Sequence, residues 1–167
     1  MAVKIKLKTN QKLVAKNFKR LAKKLPRFID KGLLQAGFHL LDIIRTKTAK
    51  GQDFRGDAFA SYSEGYLNRL KREGKKTAVD LFYSGRMMGA LTPSGKTVRK
   101  IGNNIVGVSF SNSQMQQRAL FNQVLMGEKN REFFGFNSTT ENIIGKAFNR
   151  FVEKQIRATR IWVQEKT

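Results

Sequence analysis

The chain has 167 residues, enough for one compact domain that buries roughly 70% of its unfolded surface. It has no cysteine and one histidine, which excludes disulfide scaffolds, cysteine-based zinc sites, thiol catalysis and histidine-rich metal sites. No apolar run approaches the roughly 20 residues that span a bilayer, and no signal-peptide pattern follows the basic start. We therefore expect a soluble protein that works or is assembled in a cytoplasm, without a membrane partner.

The charge of the chain is strongly positive and unevenly distributed. Lys and Arg number 33 against 12 Asp and Glu, a net charge of +21. Residues 1–50 alone hold 14 basic and 2 acidic residues. This asymmetry favours a basic face or arm that meets an anionic neighbour, and the alternative is a solvated surface of a very soluble protein.

The first third of the chain predicts a short strand and then one or two helices. Apolar residues alternate with lysines over residues 3–8, which is the period of a strand. From Asn10, a plausible N-cap, the apolar residues follow helical spacing to about Lys50. Pro26 either kinks one long helix or opens a second helix at its first turn. His39 lies beside the apolar stripe, where a flanking or core histidine is expected rather than a catalyst.

The middle of the chain predicts a loop, two short helices and a hairpin. Residues 51–63 are rich in Gly, Asp, Ser and aromatics, and this loop is long enough for a role in function or assembly. Short helices are predicted over 64–73 and 80–91. The strands of the hairpin are predicted over 97–101 and 104–110, joined by a Gly-Asn-Asn turn.

The last third predicts helix, strand, helix. The first helix begins at Asn112 or Ser113 and continues to about Leu125. The segment REFFGFN, residues 131–137, predicts a short strand with a glycine break. Ser138 opens a capping box, and the amphipathic helix behind it is predicted to end near Trp162.

Together these elements predict an α+β fold, with a small, mainly antiparallel sheet packed against long N- and C-terminal helices. We expect a single domain over residues 1–167. Within it, residues 1–50 form a basic helical part, and residues 51–167 form the α+β core that would carry assembly.

Catalytic patterns are weak in this sequence. The segment Gly89–Thr97 resembles a phosphate-binding loop, but five residues separate its two glycines where the motif has four, and no strand precedes it. Asp57 with Glu73 and Lys75 is a distant match to a metal-dependent nuclease, and Glu73 at a helix end is a poor platform for a metal. The tripeptide beginning at Arg55, Arg-Gly-Asp, is interpreted as a turn. We therefore expect no enzymatic activity and no cofactor.

Short motifs in the middle and end of the chain occur in a characteristic order. Tyr-Ser-x-x-Tyr at 62–66 precedes a basic helix, and Ser-Gly-Arg-Met follows at 84–87. VGVSF at 106–110 ends the hairpin, and REFFGFN precedes ENIIGKAF at 141–148. Over roughly residues 12–150, this order resembles the virion morphogenesis or tail-completion proteins of tailed bacteriophages.

The resemblance implies a structural virion protein rather than an enzyme. Proteins of this kind are small α+β subunits that assemble into a ring, sixfold as tail symmetry suggests, at the neck or the tail end. The ring completes the tail or joins it to the head. The implied partners are further copies of the chain and neighbouring neck, connector or tail-tube proteins, and the implied location is the virion.

Aromatic and arginine side chains are the candidate contacts between subunits. The alternative is that they pack on the chain's own helices, which we favour for the segment 131–137. The candidates are Phe54, Phe59, Tyr62, Tyr66, Arg86, Arg131, Phe133 and Phe134.

The basic residues near the N-terminus admit three interpretations. They line a channel and hold DNA without reading its sequence, they meet acidic surfaces of neighbouring virion proteins, or they are only solvated. A free-standing, non-specific nucleic-acid-binding protein is the alternative function. The candidate contacts are Lys4, Lys6, Lys8, Lys12, Lys16, Lys19, Arg20, Lys23, Lys24 and Arg27.

Overall fold

A computed structural model describes residues 11–81, 85–125 and 127–159, without the side chain of Glu128. The predicted strand over 3–8, the cap at Asn10 and the candidates Lys4, Lys6 and Lys8 lie outside these residues. The helices are α1 (Gln11–Ala49), α2 (Glu64–Arg72), α3 (Arg86–Gly89), α4 (Ser113–Val124) and α5 (Ser138–Ala158), the strands are β1 (Val98–Gly102) and β2 (Ile105–Val108), and a 3-10 turn spans Gly127–Lys129. The α+β class predicted from the sequence is confirmed.

Helix α1 runs without interruption through Pro26, so residues Gln11–Ala49 form one long helix rather than two. Its apolar positions are partnered only in part. The side chains that α1 buries lie between Gly32 and Thr48, whereas Leu13, Val14 and Phe18 near its start are exposed. Helix α1 thus has a packed C-terminal half and an N-terminal half whose first turns expose apolar side chains.

The hairpin packs across the packed half of α1. Strands β1 and β2 are antiparallel, with Val98 opposite Val108. The approach is close at Gly37, where a Cβ atom would lie 2.7 Å from Val98 Cγ1 and 3.0 Å from Val106 Cγ1. Glycine is therefore required at position 37 by the distance between helix and sheet. An ion pair of 2.7 Å between Lys100 Nζ and Asp30 Oδ2 joins the two elements at the surface.

Helix α5 lies antiparallel along α1. Ile144, early in α5, shares a cavity wall with Leu40, whereas Phe148 and Val152, further along α5, lie against Gly32. Later residues of α5 therefore meet earlier residues of α1. The described part of α5 ends at Ala158, so the first three or four turns of α1 continue beyond it.

The core lies where α1, α3, α4, β1 and the segment after α4 converge. Leu41, Met88 and Leu91 are fully buried there, together with Val98 and Phe133. The rings of Phe110, Phe133 and Phe134 form an aromatic cluster with centroid separations of 5.5 to 6.4 Å. Residues 11–50 and the described residues after position 50 thus share one core.

The prediction of a strand over 131–137 is wrong. The Phe133 amide turns back to the Arg131 carbonyl at 3.0 Å, and the backbone groups of Phe133 and Phe134 are satisfied by a side chain instead of a neighbouring strand. The Gln123 carboxamide oxygen accepts from the amides of Phe133 and Phe134, both at 3.1 Å, and its nitrogen donates to the Phe134 carbonyl. The sheet therefore has two strands among the described residues.

Several predicted helix ends also shift. Of the helix predicted over 80–91, only Arg86–Gly89 is helical among its described residues, which exclude 82–84. Of the two predicted caps of α4, Asn112 and Ser113, the structure has Asn112, whose side chain accepts from the amides of Gln114 and Met115. The cap of α5 is Asn137 and not Ser138, because the Asn137 side chain accepts from the Thr140 amide at 2.8 Å.

Candidate assembly sites

The loop 51–63 is tied to the chain's own C-terminal segment. The Phe54 amide donates to the Glu132 carbonyl at 2.9 Å, and the Phe54 carbonyl accepts from the Asn137 side chain at 3.1 Å. The Phe54 ring lies on Gly135, where a Cβ atom would be 2.5 Å from the ring. Arg55 pairs with the Glu132 carboxylate at 2.7 Å. The loop is therefore held in place within one chain.

A buried carboxylate organises the Arg-Gly-Asp turn inside this loop. Asp53 Oδ1 accepts from three successive backbone amides, those of Arg55, Gly56 and Asp57, at 2.7 to 2.9 Å. This arrangement is the side-chain-capped turn that Asp favours. The interpretation of the tripeptide as a turn is confirmed by these bonds.

The eight candidate contacts fall into two groups. Phe59 and Phe133 are buried in the chain's own core, and Phe134 is partly buried against it. Phe54 is partly buried on Gly135, and Arg86 is exposed at the start of α3. The other three, Tyr62, Tyr66 and Arg131, come together at one cavity. Side chains of the first group, except Arg86, pack within the chain as the alternative interpretation expected.

Arg131 lies under the two tyrosines. It is only 3% exposed, its guanidinium stands 4.9 Å from the centre of the Tyr62 ring, and Nη2 donates to the Ala60 carbonyl. The rings of Tyr62 and Tyr66 meet edge to face at 4.9 Å. Burial lowers the pKa of Arg131, and burial also raises the pKa of Tyr62 despite the opposing effect of the Arg131 charge. A cation held against aromatic faces in this way is a stacking arrangement typical of arginine.

The cavity beside Arg131 measures about 540 Å³. Its wall combines aromatic rings with cations and includes Tyr62, Tyr66, Phe121, Arg118, Lys129 and Arg131. Aromatic and arginine side chains are the types enriched where proteins bind one another. This cavity, which we call the tyrosine cleft, is therefore a candidate docking point for a neighbouring subunit.

A second candidate surface was not predicted from the sequence. Helix α4 buries Met115 and Ala119, and its opposite side exposes a patch of large apolar residues that reaches 62% exposure at Leu125 and 52% at Phe121. The available signal was that α4 is apolar on two opposite sides, and one helix packed on one core can bury only one of them. The α4 patch consists of Leu120, Phe121, Val124 and Leu125.

The third surface is the N-terminal half of α1. We call residues Gln11–Leu25 the arm. Every basic residue from Lys12 to Arg27 is exposed and makes no ion pair with any described residue, and no acidic residue occurs between Gln11 and Ile29. The arm therefore combines an exposed apolar stripe with unpaired positive charge. Its basic members are Lys12, Lys16, Lys19, Arg20, Lys23 and Lys24, and Arg27 follows directly.

The described carboxylates do not converge on a metal site. Among residues 11–81, 85–125 and 127–159, no three His, Cys, Asp or Glu side chains are grouped to hold an ion. Glu73, the acid of the nuclease-like pattern, pairs with Arg69 at 2.7 Å and Lys75 at 3.1 Å. In the same described part of the chain, no helix is long and apolar enough to cross a membrane.

Comparison of the chain with protein-family models, with curated proteins and with solved structures finds no match.

Proposed function

We propose that this protein is a structural subunit of a tailed-phage virion, a tail-completion or neck subunit that joins tail to head as part of a ring. The observation that carries the proposal is the α4 patch. Four large apolar side chains on the side of α4 that faces away from the core stay in contact with water unless a partner covers them. An exposed apolar surface of this kind marks a protein interface.

The positions of the exposed surfaces favour a ring over a two-fold dimer. A ring forms when one surface of a subunit contacts a different surface of the next subunit and the rotation closes. The α4 patch and the apolar stripe of the arm belong to different elements, and both are exposed in the single chain. They offer the two unlike surfaces that such a contact needs, with the tyrosine cleft beside the α4 patch through Phe121. The proposed sixfold copy number rests on the resemblance alone.

In this proposal the protein has no catalytic role. It acts in the virion, after assembly in the host cytoplasm, and contacts neck, connector or tail-tube proteins. The basic residues of the arm then face the acidic surfaces of such neighbours, where charge complementarity speeds association and sets its register.

Light scattering after size exclusion tests the proposal. We expect the wild-type chain to form a discrete oligomer, and the variant Phe121→Ser with Leu125→Ser to remain monomeric. The matched control is Ile101→Ser with Ile105→Ser, because these side chains on the hairpin are equally exposed but lie outside the three surfaces. A wild-type chain that stays monomeric at every concentration, alone and with virion partners, would rule the proposal out, as would equal behaviour of the two variants.

A second function, non-specific binding of nucleic acid, is favoured by one specific observation. The cations of the arm are unpaired within the described chain and repeat along one helix, which is the electrostatic pattern of a phosphate-binding surface. The expected signature is an affinity for DNA of any sequence that falls steeply with salt. An affinity that salt does not change would contradict it.

A further inference from the structure

A groove between α1 and α5 carries positive charge that the sequence analysis did not assign to any site. The groove encloses about 650 Å³. Gln35 and His39 form its α1 wall, and Lys146, Arg150 and Lys154 stand along its α5 wall. None of the acidic residues of these two helices, Asp30, Asp42, Glu141 and Glu153, is among the residues that line it.

The three cations of α5 follow one another along one side of the helix. They recur every fourth residue, so they project from the same side of the helix at intervals of about 6 Å. All three are exposed, and none makes an ion pair with a described residue. Like charges at this spacing destabilise a helix. An unpaired line of cations along a groove is therefore a cost to the folded chain that an anionic ligand would remove.

The line continues on the other wall toward the arm. At about 100° per residue, Lys31, Lys24 and Arg20 project within about 60° of the direction of Gln35. All three are exposed; Lys31 lies beside α5, since the adjacent Gly32 meets Val152, and Lys24 and Arg20 follow toward the N-terminus of α1. The groove thus opens at one end onto the cations of the arm. Positive charge is continuous from the groove to the first turns of α1.

We propose that this groove binds the phosphodiester backbone of a nucleic acid without reading its sequence. The proposal rests on the second function above and gives that function a defined site on α5. A polymer with one negative charge at each repeat complements cations that recur at a constant interval, whereas an acidic protein surface presents irregularly spaced carboxylates. Contacts of this kind to phosphate position a nucleic acid but carry no base information.

Fluorescence anisotropy with the full chain and labelled DNA of mixed sequence tests the groove. The groove variant is Lys146→Glu, Arg150→Glu and Lys154→Glu. The control, Lys71→Glu, Arg72→Glu and Lys76→Glu, carries the same net charge but changes exposed residues in and after α2. Affinity is measured between about 50 and 200 mM salt for a duplex and for a single strand.

We expect the groove variant to bind at least about tenfold more weakly than the control at low salt. The slope of log binding constant against log salt concentration should be smaller in magnitude by about 2, because three phosphate contacts are lost. The control keeps the wild-type slope. A parallel variant with glutamine at the same three α5 positions weakens binding in the same direction without introducing acids into the helix. Circular dichroism confirms that each variant is folded.

The outcomes separate the groove from the function on which it rests. If the arm variant Lys16→Glu, Lys19→Glu and Lys23→Glu loses binding while the groove variant matches the control, the groove is not the binding site, and the proposal of nucleic-acid binding stands. If the wild-type chain binds neither duplex nor single strand at low salt, both are wrong. If polyglutamate displaces DNA at an equal concentration of charge, the groove is a site for acidic protein and the proposal is overturned.

Discussion

The two halves of α1 have the same amphipathic pattern and opposite surroundings. Leu41, in the packed half, is fully buried in the core, whereas Phe18, in the arm, is 58% exposed. Both halves belong to one continuous helix of 39 residues. The comparison shows that helical periodicity selects a face but does not bury it, because burial requires another element within reach. The first turns of the arm are therefore the part of α1 whose apolar side chains stay exposed among the described residues.

The largest expected effect comes from the same substitution made in each half. Leu41→Ala removes a fully buried side chain and should lower the free energy of unfolding by about 2 to 5 kcal/mol. Leu13→Ala, in the arm, should change it by no more than about 0.5 kcal/mol, because Leu13 is 42% exposed. Urea unfolding of both variants measures the difference. Equal losses would mean that the arm is packed in solution.

A smaller effect is expected where the packed half meets the sheet. In Gly37→Ala the new methyl group meets the stiff side chains of Val98 and Val106, an overpacking that costs about 1 to 3 kcal/mol. Alanine regains about 1 kcal/mol of helix propensity, so the free energy of unfolding, measured with urea, is expected to fall by about 1 kcal/mol.

Gly65→Ala is the control for that substitution. Position 65 lies in α2 with nothing within 4 Å of a Cβ atom, so alanine there should stabilise the protein by up to about 1 kcal/mol. Effects of the same sign at Gly37 and Gly65 would contradict the close contact between α1 and the hairpin.

The smallest expected effect lies at the boundary between the halves. Pro26 cannot donate the helical hydrogen bond to the Ala22 carbonyl, and Pro26→Ala restores it. If the arm folds independently of the core, helicity at 222 nm should rise while the free energy of global unfolding changes by less than about 0.5 kcal/mol. A gain near 3 kcal/mol in the urea experiment would instead show that the arm and the core unfold as one unit.

Features that depend on neighbouring residues were predicted correctly. The hairpin followed from alternation around a Gly-Asn-Asn turn, in which Asn104 adopts a positive φ of 56°. The cap at Asn112 followed from a side chain that reaches the next amides. Both depend on contacts within a few residues, and such contacts are visible in the sequence.

Features that depend on distant residues were missed for a physical reason. Asn137 displaces Ser138 as the cap of α5 because its amide nitrogen is also held by the Phe54 carbonyl, 83 positions away. The segment 131–137 is not a strand because Gln123, in α4, supplies the hydrogen bonds that a neighbouring strand would have made. Neither partner can be recognised from local spacing.

The candidate sites likewise divide into features set by neighbouring residues and features set by distant ones. The sequence by itself determined the amphipathic helices, the turn at Arg55, the basic arm and the α+β class, because periodicity, turn chemistry and charge are local properties. Only the tertiary structure decided that Arg131 is buried under Tyr62, that α4 turns a second apolar side to solvent, and that Lys146, Arg150 and Lys154 line a groove with α1. Those outcomes depend on which elements approach one another, since the area available for burial is set by the whole fold.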